Sequence, residues 1–196
     1  IDDALGEALD KAARMLGLGY PGGAELEKAA HTGDPNAYKL PLPMLGRENQ
    51  NEFSYSGLKT AFFRLVNSPG QKSVDDLAAA FQDRAFIHLT RVVSKTLQKF
   101  NTSPCPPPNL GGGIKGGGMS PIRDLLVGGG VAANQELRKR IEIELGVKTH
   151  FPPPGLFGDN AAMIGIAAGF KAQRGEFVKN INSVDRLPRW RIDQAL

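Results

Sequence analysis

Leu126-Val127-Gly128-Gly129-Gly130-Val131-Ala132-Ala133-Asn134 and, further on, Phe151-Pro152-Pro153-Pro154-Gly155-Leu156-Phe157-Gly158-Asp159-Asn160-Ala161 decide how this chain reads. Each stretch puts a turn at the end of an apolar run, then a helix that opens on a short polar side chain. Backbone N–H groups at a helix start have no partners inside the helix, and the local dipole favours negative charge. Two such starts side by side would form a nucleotide cradle. The surrounding pattern is strand over 125–127, helix over 134–145, strand over 147–151 and helix over 160–173. Strand–helix–strand–helix implies a parallel pair in an α/β core. Leu137 and Ile141 face inward on the first helix, and the second is apolar nearly all round, so it is expected to be buried.

Working outward, residues 2–17 read as a helix. Asp2 and Asp3 suit its start, and Leu5, Leu9, Ala12, Ala13 and Leu16 share one face. Gly17, Gly19, Pro21, Gly22 and Gly23 break it, and a short helix is expected over 24–31. Residues 32–52 are polar, with at most a brief strand over 38–42, and 53–57 alternate like an extended piece. A helix over 59–66 buries Ala61, Phe62 and Leu65. The longest helix runs over about 75–100, where Leu77, Phe81, Ala85, Leu89, Val92, Val93 and Leu97 recur at core-facing spacing. Prolines and glycines crowd 102–121, which reads as a surface loop. The expected division is therefore a helical part over 1–101, the loop over 102–121 and an α/β part over 122–196.

Composition sets outer bounds. An apolar fraction of 41% supports a sizeable core, and Lys+Arg 24 against Asp+Glu 20 gives a net +4 that permits an anionic partner without demanding one. Cys105 is the single cysteine, which excludes a disulfide framework and a cysteine metal cluster. No apolar run approaches the roughly 18 residues of a membrane span. The opening Ile1-Asp2-Asp3 carries neither an initiator Met nor a basic presequence and reads as a piece of something longer.

Several residues admit a chemical and a structural role. Asn134 suits a bond to a ribose hydroxyl or base edge at a glycine-lined turn, and equally suits helix capping. Asp159 is an ordinary cap, or a carboxylate aimed by Pro152–Pro154 at a metal or a metal-bound phosphate. Asp10 lies on a polar face with Asp3, Glu7 and Arg14, where an Asp10–Arg14 pair is the plain expectation. Glu27 reads as a surface charge and Gly23 as a turn glycine. His31, His88 and His150 lack metal-ligand spacing and read as structural or exposed. Ser54 and Ser56 lack a nucleophile elbow. The segment 186–191 mixes arginines with Trp190, which can grip a nucleic-acid backbone or simply dock.

Five segments in order resemble one family: residues 1–11, the Gly17–Gly23 turn, Phe53-Ser54-Tyr55-Ser56-Gly57-Leu58-Lys59-Thr60, the Gly128–Asn134 turn and residues 159–165. They are similar to the C-terminal part of TsaD, the tRNA N6-adenosine threonylcarbamoyltransferase family. The resemblance implies an actin-like fold of the sugar-kinase and Hsp70 type. It implies transfer of threonylcarbamoyl from threonylcarbamoyl-AMP to N6 of the adenosine beside the tRNA anticodon. It places the nucleotide or intermediate at Asp10, Gly23, Glu27 and Asn134, and one divalent metal, iron or zinc, partly on Asp159, with the other ligands outside this chain. No residue here matches a catalytic base.

The implied partners are tRNA, threonylcarbamoyl-AMP, the missing N-terminal lobe, and a second copy or accessory subunits. The C-terminal wording and the long 102–121 loop point to a mitochondrial home, with the cytoplasm as the alternative. Phe157-Gly158 departs from the family's usual Cys-Thr. The piece alone is expected to be inactive. The alternatives are a non-catalytic nucleotide- or partner-binding remnant, and an actin-like ATPase that transfers nothing.

Overall fold

The computed structural model describes residues 4–47, 52–102, 122–158 and 161–180. Among the described residues, six α-helices and two strands are formed in the order α1 (Leu5–Met15), α2 (Gly22–Ala30), α3 (Ser56–Asn67), α4 (Val74–Thr102), β1 (Asp124–Leu126), α5 (Gln135–Leu145), β2 (Lys148–His150) and α6 (Ala161–Gln173). A 3-10 turn, Gly130–Ala133, links β1 to α5. The chain divides into two compact units, Ile1–Gly158 and Asp159–Leu196. The segments on either side of 103–121 thus belong to the same unit.

α4 is the spine of the first unit. Leu77, Phe81, Ala85 and Val92 from the expected stripe are buried, with Ala78, Ala79, Ala80 and Phe86 beside them. Against this spine pack Leu9, Ala12 and Ala13 of α1, Leu26 of α2, Leu58 and Phe62 of α3, and Leu137 and Ile141 of α5. Phe62 and Phe81 meet with ring centroids 4.7 Å apart. Burying such side chains stabilises by about 1.5–3 kcal/mol each, so this cluster is the main source of cohesion.

Small residues bring backbones close where the site will form. A Cβ on Gly22 would lie 2.9 Å from Asp10 Cα and 3.0 Å from Ala13 Cβ, so α1 and α2 cross almost in contact. A Cβ on Gly33 would lie 2.0 Å from the Asp75 carbonyl oxygen. The same corner is fastened by Thr32 Oγ1 donating to Asp75 Oδ2 (2.9 Å) and Asp34 N donating to Asp76 Oδ1 (2.8 Å).

β1 and β2 pair in parallel, with Leu125 opposite Thr149, as the strand–helix–strand pattern implied. Two expectations fail here. β1 is not buried: it alternates exposed, half-buried, exposed, and Leu126 is 80% exposed. A two-stranded ribbon has neighbours on one edge only, and among the described residues no third strand joins it. α6 is not buried either, since its described side chains are exposed, Ile164 and Phe170 included. An all-round apolar helix needs cover on every side, and residues 161–180 provide no second element to supply it.

Smaller differences follow local rules. No strand forms over 38–42, where Pro41 lacks the N–H a ladder requires and Pro43 follows directly. α3 begins at Ser56, absorbing the end of the expected extended piece. α2 begins at Gly22 rather than beyond it. Asp2 and Asp3, Cys105 and the 103–121 loop, Asp159 and Asn160, and the 186–191 segment lie outside the described residues. No described helix is long and apolar enough to cross a membrane.

Candidate functional site

Four of the residues singled out above meet where α2 and α5 begin. Asp10, exposed on α1, accepts the backbone N–H of Gly23 through Oδ1 at 2.8 Å. The near contact at Gly22 makes this reach available. No Asp10–Arg14 ion pair forms; the carboxylate turns to α2 because an orphan helix N–H is a better partner than a solvated guanidinium. Gly23 is therefore a first-turn helix residue and not a turn glycine. One helical turn on, Glu27 Oε1 accepts the backbone N–H of Gln135, the first residue of α5, at 2.7 Å. Glu27 is thus no idle surface charge.

Asn134 is 5% exposed and caps α5, its Oδ1 accepting Leu137 N at 2.9 Å. Its Nδ2 donates to Gln82 Oε1 of α4 at 3.1 Å. The glycine-lined turn before it is formed: Gly129 has φ 92°, open to glycine and strained for other residues.

These bonds revise the idea of a free anion cradle. At α5 the N–H groups of Gln135 and Leu137 are already taken by Glu27 and Asn134. At α2 Asp10 takes Gly23 N. Carboxylates at both mouths repel a phosphate and accept from hydroxyls, so the arrangement suits the sugar and base end of a nucleotide. Beside it lies a cavity of about 810 Å³ between α2, α4 and α5, with Ala24, Glu27, Ala79, Gln82, Gln135 and Lys139 among its lining residues. Of the four sequence candidates only Glu27 lines it.

Two residues that shape the site escaped the sequence reading. Gln82 carried a signal, being a polar residue inside an apolar helical stripe. Arg138 carried none. Its Nε donates to Ala132 O at 2.6 Å and its Nη2 reaches Pro152 O at 3.5 Å. Its guanidinium lies 4.6 Å from the Phe151 ring centroid and 4.7 Å from that of Phe157. It ties the turn after β1 to the turn after β2, and Phe157 has a packing role there.

The histidines take structural or exposed positions. His88 is buried edge-on to Tyr55 and Phe53, and accepts Ser54 N at 3.4 Å. His150, exposed, pairs with Asp124 at 2.6 Å, and His31 is exposed. Among the described residues no three His, Cys, Asp or Glu side chains gather to hold a metal ion. Asp159, the expected metal carboxylate, lies outside them.

Residues 1–166 match the family model of TsaD, described as tRNA N6-adenosine threonylcarbamoyltransferase. The chain belongs to the TsaD family. It is 41% identical over 194 residues to the tRNA N6-adenosine threonylcarbamoyltransferase of a Thermus thermophilus strain, covering 99% of this chain and 52% of that protein. It is 36% identical to the protein of that name from Aromatoleum aromaticum, covering 97% of this chain and 51% of the relative. For Methylobacterium sp. strain 4-46 the figures are 42% identity, 100% and 53%. The chain spans about half the length of the curated relatives it matches, in keeping with its resemblance to the C-terminal part of TsaD. Its helix-rich α/β unit with a small parallel sheet is that part of the actin-like TsaD fold. TsaD proteins are generally metal-dependent, yet the described residues do not form a metal site by themselves.

Proposed function

We propose that the whole protein transfers threonylcarbamoyl from threonylcarbamoyl-AMP to N6 of the adenosine beside the tRNA anticodon, and that this chain holds the adenylate. The observation that carries the reading is the convergence of Asp10, Gly23, Glu27 and Asn134 on adjoining helix starts. Asp10 and Glu27 would accept from the ribose hydroxyls, and the neighbouring cavity would take the base. In the transfer, the adenosine amine attacks the carbamoyl carbon, a C–N bond forms, the bond from that carbon to the phosphate oxygen breaks, and AMP departs. The amine's proton passes to solvent or to a group elsewhere in the protein. Fixing AMP as leaving group lowers the barrier by positioning the reacting atoms.

The iron or zinc implied by the resemblance would have Asp159 as a ligand from this chain and its other ligands elsewhere. Partner subunits and compartment, mitochondrial or cytoplasmic, are proposed on the resemblance alone. The test is the full-length protein with threonylcarbamoyl-AMP and tRNA, assayed by mass spectrometry of the nucleosides. Modified adenosine in the wild type, reduced at least tenfold by Asp10→Ala, supports the reading. ATP hydrolysis without tRNA modification would refute it.

A second reading has a specific observation behind it. Asp10, Glu27 and Asn134 are all engaged in capping bonds, which would suffice for a scaffold that binds a partner and transfers nothing. Unchanged transfer in Asp10→Ala and Glu27→Ala proteins of normal stability would favour it.

A further inference from the structure

We propose that Gln82 is a ligand-reading residue: its side-chain NH2 group donates a hydrogen bond to a ring nitrogen of a purine held between α2 and α5. This rests on the adenylate reading above. The argument starts at a backbone group whose polarity is fixed. Leu137 N–H can only donate, so the Asn134 atom facing it is Oδ1, at 2.9 Å. Asn134 must then point Nδ2 the other way, and it donates to Gln82 at 3.1 Å. The Gln82 atom receiving that bond is therefore Oε1. A two-amide relay thus carries the direction of the α5 backbone across to α4 and leaves Nε2 as the free end of Gln82.

That end opens on the cavity. Gln82 is 6% exposed, lines the 810 Å³ space, and its Nε2 makes no hydrogen bond to any described residue. As a residue Gln82 is nine-tenths buried, yet its Nε2 is not itself enclosed, so solvent reaches it and an acceptor on the cavity's occupant would replace water there. Ala24 and Ala79 are among its lining residues, and their small apolar side chains leave room for a planar ring. Adenine offers ring nitrogens as acceptors, so the occupant expected from the ribose carboxylates also answers the Gln82 donor. The relay fixes Nε2 as a donor, so at that atom Gln82 gives a hydrogen bond to the ligand and does not accept one.

The experiment measures AMP binding to the full-length protein by calorimetry at pH 8. Gln82→Glu keeps an acceptor for Asn134 but puts a carboxylate oxygen where the donor stood. It should weaken AMP binding tenfold or more, on the order of one hydrogen bond. From the ligand side, 1-deaza-, 3-deaza- or 7-deaza-AMP should lose a similar factor against the wild type. In the Gln82→Glu protein that analogue and AMP should bind alike. If Gln82→Glu binds AMP as tightly as the wild type, Gln82 only orients Asn134 and the proposal falls. If the variant does not fold, the analogue series decides: no loss with any of the three overturns it. A wild-type protein that fails to bind AMP at all would overturn the adenylate reading and this one together.

Discussion

Glu27 Oε1 stands 2.7 Å from the backbone N–H of Gln135, so a side chain of α2 neutralises the positive end of α5. Removing it in Glu27→Ala should lower stability by about 1 kcal/mol, with Glu27→Gln intermediate because the acceptor stays and the charge goes. Urea midpoints of the full-length proteins check this. Under the proposed adenylate reading the same carboxylate would accept from ribose, so 2′-deoxy-AMP or 3′-deoxy-AMP should bind about tenfold more weakly than AMP in the wild type. That difference should shrink in Glu27→Ala.

Asn134 serves two neighbours. Asn134→Ala leaves Leu137 N and Gln82 Oε1 without partners and should lower stability by about 2 kcal/mol. Asn134→Asp keeps the cap, loses the bond to Gln82, and should fall between. Hydrogen exchange at the Leu137 amide separates the two, rising in Asn134→Ala and staying near wild type in Asn134→Asp.

The corner at Gly33 tolerates no side chain. Gly33→Ala would place Cβ 2.0 Å from Asp75 O and 2.3 Å from Asp75 C, both backbone atoms. We expect a loss of about 3 kcal/mol or failure to fold. Gly57 on α3 has open space around its Cβ position, so Gly57→Ala should stabilise by about 0.5 kcal/mol. Thermal unfolding of the pair tests the contrast.

Arg138→Lys should unfasten the two strand-to-helix turns. Lysine keeps the charge but loses the planar fork and its stacking on Phe151 and Phe157. A destabilisation of about 1–2 kcal/mol is expected, with faster amide exchange confined to residues 129–134 and 151–158.

Just beyond α6, the side chain of Arg174 donates to the Glu176 carboxylate, and this bond holds Glu176 below the usual carboxylate range and raises Arg174. A depressed carboxyl is paired above its unfolded value, and the pair is lost as pH falls through the lowered one. An NMR titration should give Glu176 a midpoint below that of an unpaired glutamate, and Arg174→Gln should return it upward.

Much of the fold was legible because its signals are local and periodic. The stripe along α4, the inward Leu137 and Ile141, and the βαβ order each rest on spacing within one segment. Burial of β1 and α6 was not legible, because cover is supplied by other elements and spacing reports only the need for it. The site divided along the same line. Asn134 at the start of α5 could be read from turn chemistry. The bonds from Asp10 to Gly23 and from Glu27 to Gln135 join residues 13 and 108 positions apart. Nothing in the local sequence distinguishes those carboxylates from solvated ones. Gln82 escaped the sequence reading, its one sign being a polar side chain within an apolar stretch of α4.

The guanidinium of Arg138, flanked by two aromatic faces, has a spectroscopic consequence. Ring currents from Phe151 and Phe157 shield its Hε while the short bond to Ala132 O deshields it, so that resonance should stand apart from those of ordinary solvated arginines and respond to a change in either. A single NMR line would then register any loosening between the two turns when a ligand arrives, without a probe having to be introduced.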